Sequence, residues 1–262
     1  MTKSKVFIAM FALLASSTLF AKAMPETLHT SSEAFTAYVE GPTEAREGIV
    51  LVHDWFGVSP FYLDAMQRLA KRGYRVIAVD LYDGRRASTH DEATTLLGSL
   101  DTQAAARKID AAIESLRTRR RTLAIMGFSM GAKHALSAAL RNESVRATVL
   151  WYGETVNDPH ELKSLQGPVF LVVGSADGAT AAENAAAFSK AADAAGEAAE
   201  IYVYPGAAHA FAQPLFNQGK TYDSIAAETA WRLSEDFLTR RLHSATLAPD
   251  RSASTTNAAA AN

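Results

Sequence analysis

The 262-residue chain has no cysteine. That excludes disulfides, thiolate nucleophiles and cysteine-based zinc or iron–sulfur sites together. It also lacks a large excess of charge of either sign. Its 26 Lys and Arg stand against 28 Asp and Glu, for a net charge of −2, which leaves no electrostatic footprint for nucleic acid. No H-E-x-x-H or comparable spacing of metal ligands occurs, so neither a metal nor an organic cofactor is expected. No linker and no internal repeat interrupts the chain. Apolar residues make up 48% and charged residues 21%, a globular composition able to fill a substantial α/β core.

Both ends stand apart from that body. Lys3 and Lys5 precede an apolar run over residues 6–20, and Ala21-Lys22-Ala23 follows it. A basic start, a short apolar stretch and an A-x-A end are the parts of a secretory signal peptide. The run is about 15 residues long, short of the roughly 20 that span a bilayer. An uncleaved anchor or a buried N-terminal helix are the alternatives; without a cysteine a lipoprotein anchor is excluded. Cleavage after Ala23 removes three lysines and no acid, leaving 239 residues with a charge of −5. The expected location is periplasmic or secreted, without stable membrane insertion. Residues 244–262 offer little to bury and read as a frayed tail, so the folded domain is expected over 24–243.

Within that domain, short apolar runs end in Gly, Asp, His or an aromatic. They fall at residues 48–53, 75–80, 122–128, 146–152, 168–174 and 200–204. Such near-continuous runs suit a parallel sheet covered on both faces. Helix-length segments alternate with them at 60–72, 102–117, 130–140, 181–195 and 222–242. The fold class is therefore α/β, a mostly parallel doubly wound sheet flanked by helices. An early strand near 34–40 is expected to pair at an edge. In the last helix, Ile225, Ala226, Ala230, Leu233 and Phe237 are expected on one face, with Trp231 off it. Arg117, Arg119, Arg120 and Arg121 read as a solvated helix terminus.

The chemistry concentrates at strand ends. Gly127-Phe128-Ser129-Met130-Gly131 follows an apolar run and opens a helix, the setting of a nucleophile elbow. There the glycines relieve crowding, the serine hydroxyl projects above the sheet, and the Met130 N–H can face a developing oxyanion. Serine needs a base and an orienting acid, in the chain order Ser, acid, His. Asp177 and His209 lie in loops after successive strands in that order. Glu154 competes as the acid, and Asp158 less so. The second oxyanion donor is expected from the turn at residues 53–57, as the Trp55 N–H. Tyr82, Tyr152, Phe128 and Phe211 read as pocket wall or plain core, and His134 as packed. His53 beside Asp54 lacks the spacing of a metal site.

Six segments carry a resemblance to a known family: H-D-W-F-G (53–57), D-L-Y (80–82), G-F-S-M-G (127–131), W-Y-G (151–153), G-S-A-D (174–177) and G-A-A-H-A-F (206–211). In order and spacing the chain resembles the dienelactone hydrolases of the α/β-hydrolase superfamily over roughly residues 45–240. The resemblance implies an α/β-hydrolase fold and a carboxylic ester or lactone hydrolase working without a cofactor on a small molecule. It places the nucleophile at Ser129, the acid at Asp177, the base at His209, and the oxyanion donors at Trp55 and Met130. Three departures go with it. The family's nucleophile is typically a cysteine. Its turn glutamate, which meets the resting nucleophile, is here the shorter Asp54. Of its two substrate-holding arginines, one matches Arg85 or Arg86 and the other is Gln213. Tyr82, Arg85 and Asp54 are thus candidate substrate contacts. A peptidase or acyltransferase on the same residues is one rival, and a catalytically silent binding protein another. A monomer or small homo-oligomer is expected.

Overall fold

A computed structural model describes residues 23–246 except 120 and 180. Eight strands form one sheet in the order β1-β2-β4-β3-β5-β6-β7-β8. They are β1 (Met24–His29), β2 (Ala34–Glu40), β3 (Glu47–Val52), β4 (Arg75–Val79), β5 (Thr122–Phe128), β6 (Val145–Trp151), β7 (Val169–Gly174) and β8 (Ala199–Tyr204). From β4 to β8 neighbouring strands run parallel, and β1 and β2 pair antiparallel at one side. The helices are α1 (Pro60–Ala70), α2 (His90–Gly98), α3 (Thr102–Arg117), α4 (Met130–Arg141), α5 (Pro159–Leu162), α6 (Ala181–Ala195) and α7 (Ser224–Thr246). This is the doubly wound α/β architecture anticipated from strand–helix alternation.

Two apolar layers sandwich the sheet. Val50, Val52, Ile125, Leu150 and Leu171 face α3, α4 and α6. Ile49, Leu51, Met126, Trp151 and Phe170 face α1 and α7. Alternate residues of each strand thus enter opposite layers, as the two-residue period of a strand requires. The chain leaves β3 for β4 on one side and returns to β5 on the other. The strand order therefore reverses between β3 and β5, and a crevice opens at their carboxyl ends, where ligands bind in such sheets.

Several expectations change. The strand at Ala34–Glu40 is not an edge strand. It lies between β4 and β1, which the turn from Thr30 to Glu33 folds back against it (Thr30 N to Glu33 O, 2.8 Å). β1 is mostly exposed and contains Pro25, so it carries no apolar signal. α2 was also unforeseen, although Thr89 and Glu92 form a capping box at its start, a pattern readable in sequence. α1 stops at Ala70, ahead of Gly73 at φ 94°. Arg121 is buried rather than solvated: Nε donates to Ala45 O at 2.9 Å, and a guanidinium N–H donates to Thr43 O. α7 runs to Thr246, past residue 243, where the folded domain is expected to end. The expected leader lies almost wholly outside the described residues, as do the chain after residue 246 and Arg120.

α7 buries Ala226, Ala230 and Phe237 of the expected face, with two departures. Ile225 is 80% exposed and Trp231 only 6%. Trp231 packs against Trp151 (ring centroids 5.0 Å apart) and Phe128 (6.0 Å) under the sheet. Glu235, buried on the same helix, binds Arg68 (2.5 Å) and Arg72 (2.6 Å) of α1 and its C-terminal turn. This face predicts opposite outcomes for two truncations. Trp231→Ala should cost about 3–5 kcal/mol in chemical denaturation, whereas Ile225→Ala should stay within about 0.5 kcal/mol of wild type.

Candidate active site

Backbone meets backbone at close range where β5 becomes α4. A Cβ on Gly131 would sit 2.4 Å from Val52 O and 2.3 Å from His53 O, and one on Gly127 would sit 2.2 Å from Gly131 O. Only glycine lets the first turn of α4 press this closely on the end of β3. Ser129, between them, has φ 54° and ψ −120°, a conformation costly for a residue with a side chain. Its own N–H donates to Trp151 O at 2.8 Å, which ties the turn to the end of β6. The hydroxyl consequently stands at the carboxyl edge of the sheet.

Two further strand ends bring partners to it. Gly174 ends β7 with Ala207 O where a Cβ would lie, at 2.2 Å, so the loops after β7 and β8 are in contact. Ala176 N donates to Ala207 O at 2.9 Å across the same junction. His209 Nδ1 then lies 2.9 Å from both carboxylate oxygens of Asp177, and Nε2 lies 2.8 Å from Ser129 Oγ. A carboxylate only accepts, so Nδ1 carries the proton and Nε2 is left to accept from the hydroxyl. The amides of Trp55 and Met130 have no acceptor among the described residues. Both residues line the 760 Å³ cavity that holds Ser129, Asp177 and His209. Tyr152 walls it as well, edge-on to His209 with centroids 5.4 Å apart, and burial pushes its phenol pKa up.

The other candidates sit differently. Asp54 is buried: Oδ1 accepts from Phe56 N–H and Oδ2 from the Gln213 amide, both at 2.8 Å. It caps its own turn and is held by Gln213 instead of lining the cavity. Tyr82 is fully buried, its hydroxyl 3.5 Å from Met130 Sδ and its pKa pushed up to about 12 by desolvation. Arg85 is exposed and donates to Tyr82 O at 3.1 Å. None of these three lines the cavity that holds Ser129. Arg86 lines a separate 490 Å³ cavity with Phe56, His90 and Phe216. Glu154 pairs with Lys133 at 2.7 Å, and Asp158 caps α5 through His160 N–H. His134 lines the cavity wall, a placement its sequence context did not reveal. Among the described residues no group of three metal-ligating side chains comes together.

The sequence profile of the dienelactone hydrolase family matches residues 35–242. A Yersinia pestis protein provisionally named a carboxymethylenebutenolidase is 28% identical over 244 residues, covering 86% of this chain and 90% of that one. An Escherichia coli K12 protein with the same provisional name is 30% identical over 202 residues, covering 70% of this chain and 73% of the other. A solved Klebsiella pneumoniae structure, provisionally a dienelactone hydrolase, has a TM-score of 0.71 at 24% identity. It covers 84% of this chain and 98% of that one, a likeness of fold.

His53, at the end of β3, is fully buried. Its Nδ1 lies 2.5 Å from Asp54 O, and its Nε2 accepts from Leu81 N–H at 3.0 Å. Burial lowers its pKa from the ordinary 6.5, outweighing the Asp54 carbonyl, Asp80 and the Asp54 carboxylate, which raise it. The unfolded chain therefore binds the extra proton first, and stability falls as pH drops below about 6.5. Thermal melts between pH 7 and 5 should show a falling midpoint, with a shallower slope in His53→Gln.

Proposed function

The chain belongs to the dienelactone hydrolase family, and from that premise we propose that it is a serine hydrolase cleaving carboxylic esters or lactones through an acyl-enzyme. The observation that carries this reading is the unbroken line of contacts from Ser129 Oγ through His209 to Asp177, at 2.8 and 2.9 Å. In this reading His209 Nε2 takes the hydroxyl proton as Ser129 Oγ bonds to the substrate carbonyl carbon. The carbonyl oxygen becomes an oxyanion facing the Trp55 and Met130 N–H groups. Asp177 holds the imidazole tautomer and stabilises the imidazolium. Collapse breaks the carbon–alkoxy bond, and His209 returns its proton to the leaving oxygen. Water then adds to the acyl-enzyme, giving a proton to His209. The carbon–Oγ bond breaks, that proton returns to Ser129, and a carboxylic acid leaves.

A serine hydroxyl is far less acidic than the thiol typical of the resembled family, so it depends fully on the base. That the hydroxyl already lies within hydrogen-bond reach of Nε2 supports this division of labour. The mature protein should label with a fluorophosphonate probe and turn over p-nitrophenyl acetate. Ser129→Ala should lose both, and Asp177→Asn should lower kcat by on the order of 10³-fold or more. Labelling that persists in Ser129→Ala would overturn the assignment.

We also propose that residues 1–23 direct export, on the strength of the basic start, apolar run and A-x-A end described above. The check is N-terminal sequencing of the protein recovered from the exported fraction of its host. A first residue of Met24 is the expected result, and an intact N-terminus would refute it.

A further inference from the structure

The cavity above Ser129 is larger than acetate or a small lactone requires. At 760 Å³ it lies within the roughly 300–1,000 Å³ typical of sites for drug-sized ligands. Its apolar lining comes from several elements: Trp55, Leu97 and Leu100, and also Leu171, Val173 and Ala185. Leu97 is 42% exposed there, an apolar side chain left open at the cavity rim.

The charged lining is sparse. Lys133 is the only Lys or Arg among the described lining residues, and Glu154 occupies it at 2.7 Å. With Asp177 also present, the wall has a formal charge of −1 when its histidines are neutral. Nothing in it balances a carboxylate.

One polar group of the lining has no assigned work. Met130 and His134, four residues apart, share a face of α4, and both line the cavity. The His134 ring makes no hydrogen bond among the described residues, and neither nitrogen is an occluded orphan. It brings two available ring nitrogens to a lining that also includes Leu97, Leu100 and Met130. Burial lowers its pKa, with His53, Lys133 and Arg141 acting in the same direction, so it presents a neutral imidazole that can donate at one nitrogen and accept at the other.

We propose that the substrate is an uncharged ester with an extended apolar substituent, and that His134 selects a hydrogen-bonding atom, such as an ether or hydroxyl oxygen, within that substituent. Five residues of helix separate His134 from Ser129, a rise of about 7.5 Å, so the recognised atom lies about five bonds from the scissile carbonyl. The proposal rests on the hydrolase reading above and specifies its substrate.

The test compares kcat/KM for p-nitrophenyl 5-methoxypentanoate with that for the isosteric heptanoate. An acetate-ester pair, 3-methoxypropyl against pentyl, covers the alkoxy side. In one of the pairs wild type should prefer the ether by about tenfold. His134→Phe should abolish that preference and His134→Gln should retain most of it, with KM carrying the change. The mono-p-nitrophenyl ester of adipic acid, charged at its far end, should be turned over at least tenfold less well than the heptanoate. Should neither variant fold, the wild-type preference decides. No ether preference in either pair, a preference that survives His134→Phe, or adipate turnover matching heptanoate overturns the proposal. Those results would coexist with acetate turnover and probe labelling. Loss of acetate turnover and labelling would instead sink the hydrolase reading and this one with it.

Discussion

Helix α4 starts with its first turn pressed onto the carbonyls that end β3, a distance that Gly131 permits and any Cβ would forbid. Most of the site's geometry follows from that contact. It lifts Ser129 into a strained conformation and leaves the Met130 N–H at the helix N-terminus, where a partial positive charge gathers. It also brings the turn after β3, with Trp55, alongside Ser129. The strain is local and is held by the surrounding hydrogen bonds, including that from Ser129 N–H to Trp151 O. A hydroxyl placed by packing of this kind keeps its position before any ligand arrives.

The elements that sequence made legible are those whose signal is local and repetitive. β3 to β8 announce themselves as apolar runs, and Ser129, Asp177 and His209 as polar residues just beyond three of them. What stayed hidden depends on contacts between distant segments. β1 contributes backbone pairing and almost no buried side chains, so its residues carry no pattern. Trp231 was assigned to the wrong face of α7 because the helical period alone does not say which stripe meets the sheet. The aromatic layer of Phe128 and Trp151 settles it. Thr89 and Glu92 did carry the signature of α2, so that omission was not forced.

Asp54 stays off the cavity wall for an electrostatic reason. Asp54 has a carboxylate with two strong acceptor oxygens, and burying it leaves a large cost unless both are satisfied. Phe56 N–H and the neutral Gln213 amide do this without a cation. Sequence could register that Gln213 stands where the resembled family has arginine, but not that its amide turns inward to the acid. His134 is the converse case: a histidine on a helix face that looks like core until the neighbouring loops leave a space beside it.

The ion pairs between Arg68, Arg72 and Glu235 join α1 to a helix that lies late in the chain. During synthesis this has a temporal consequence. Everything up to β8 can leave the ribosome while Met126, Trp151 and Phe170 still lack their cover, because Trp231, Phe237 and Leu242 have not been made. At roughly 5–20 residues per second the last forty residues take seconds, and through that interval the part of this face that α7 covers is an exposed apolar surface. The nascent chain is thus a natural client for a chaperone until α7 docks, and truncation before Glu235 leaves it in that state permanently.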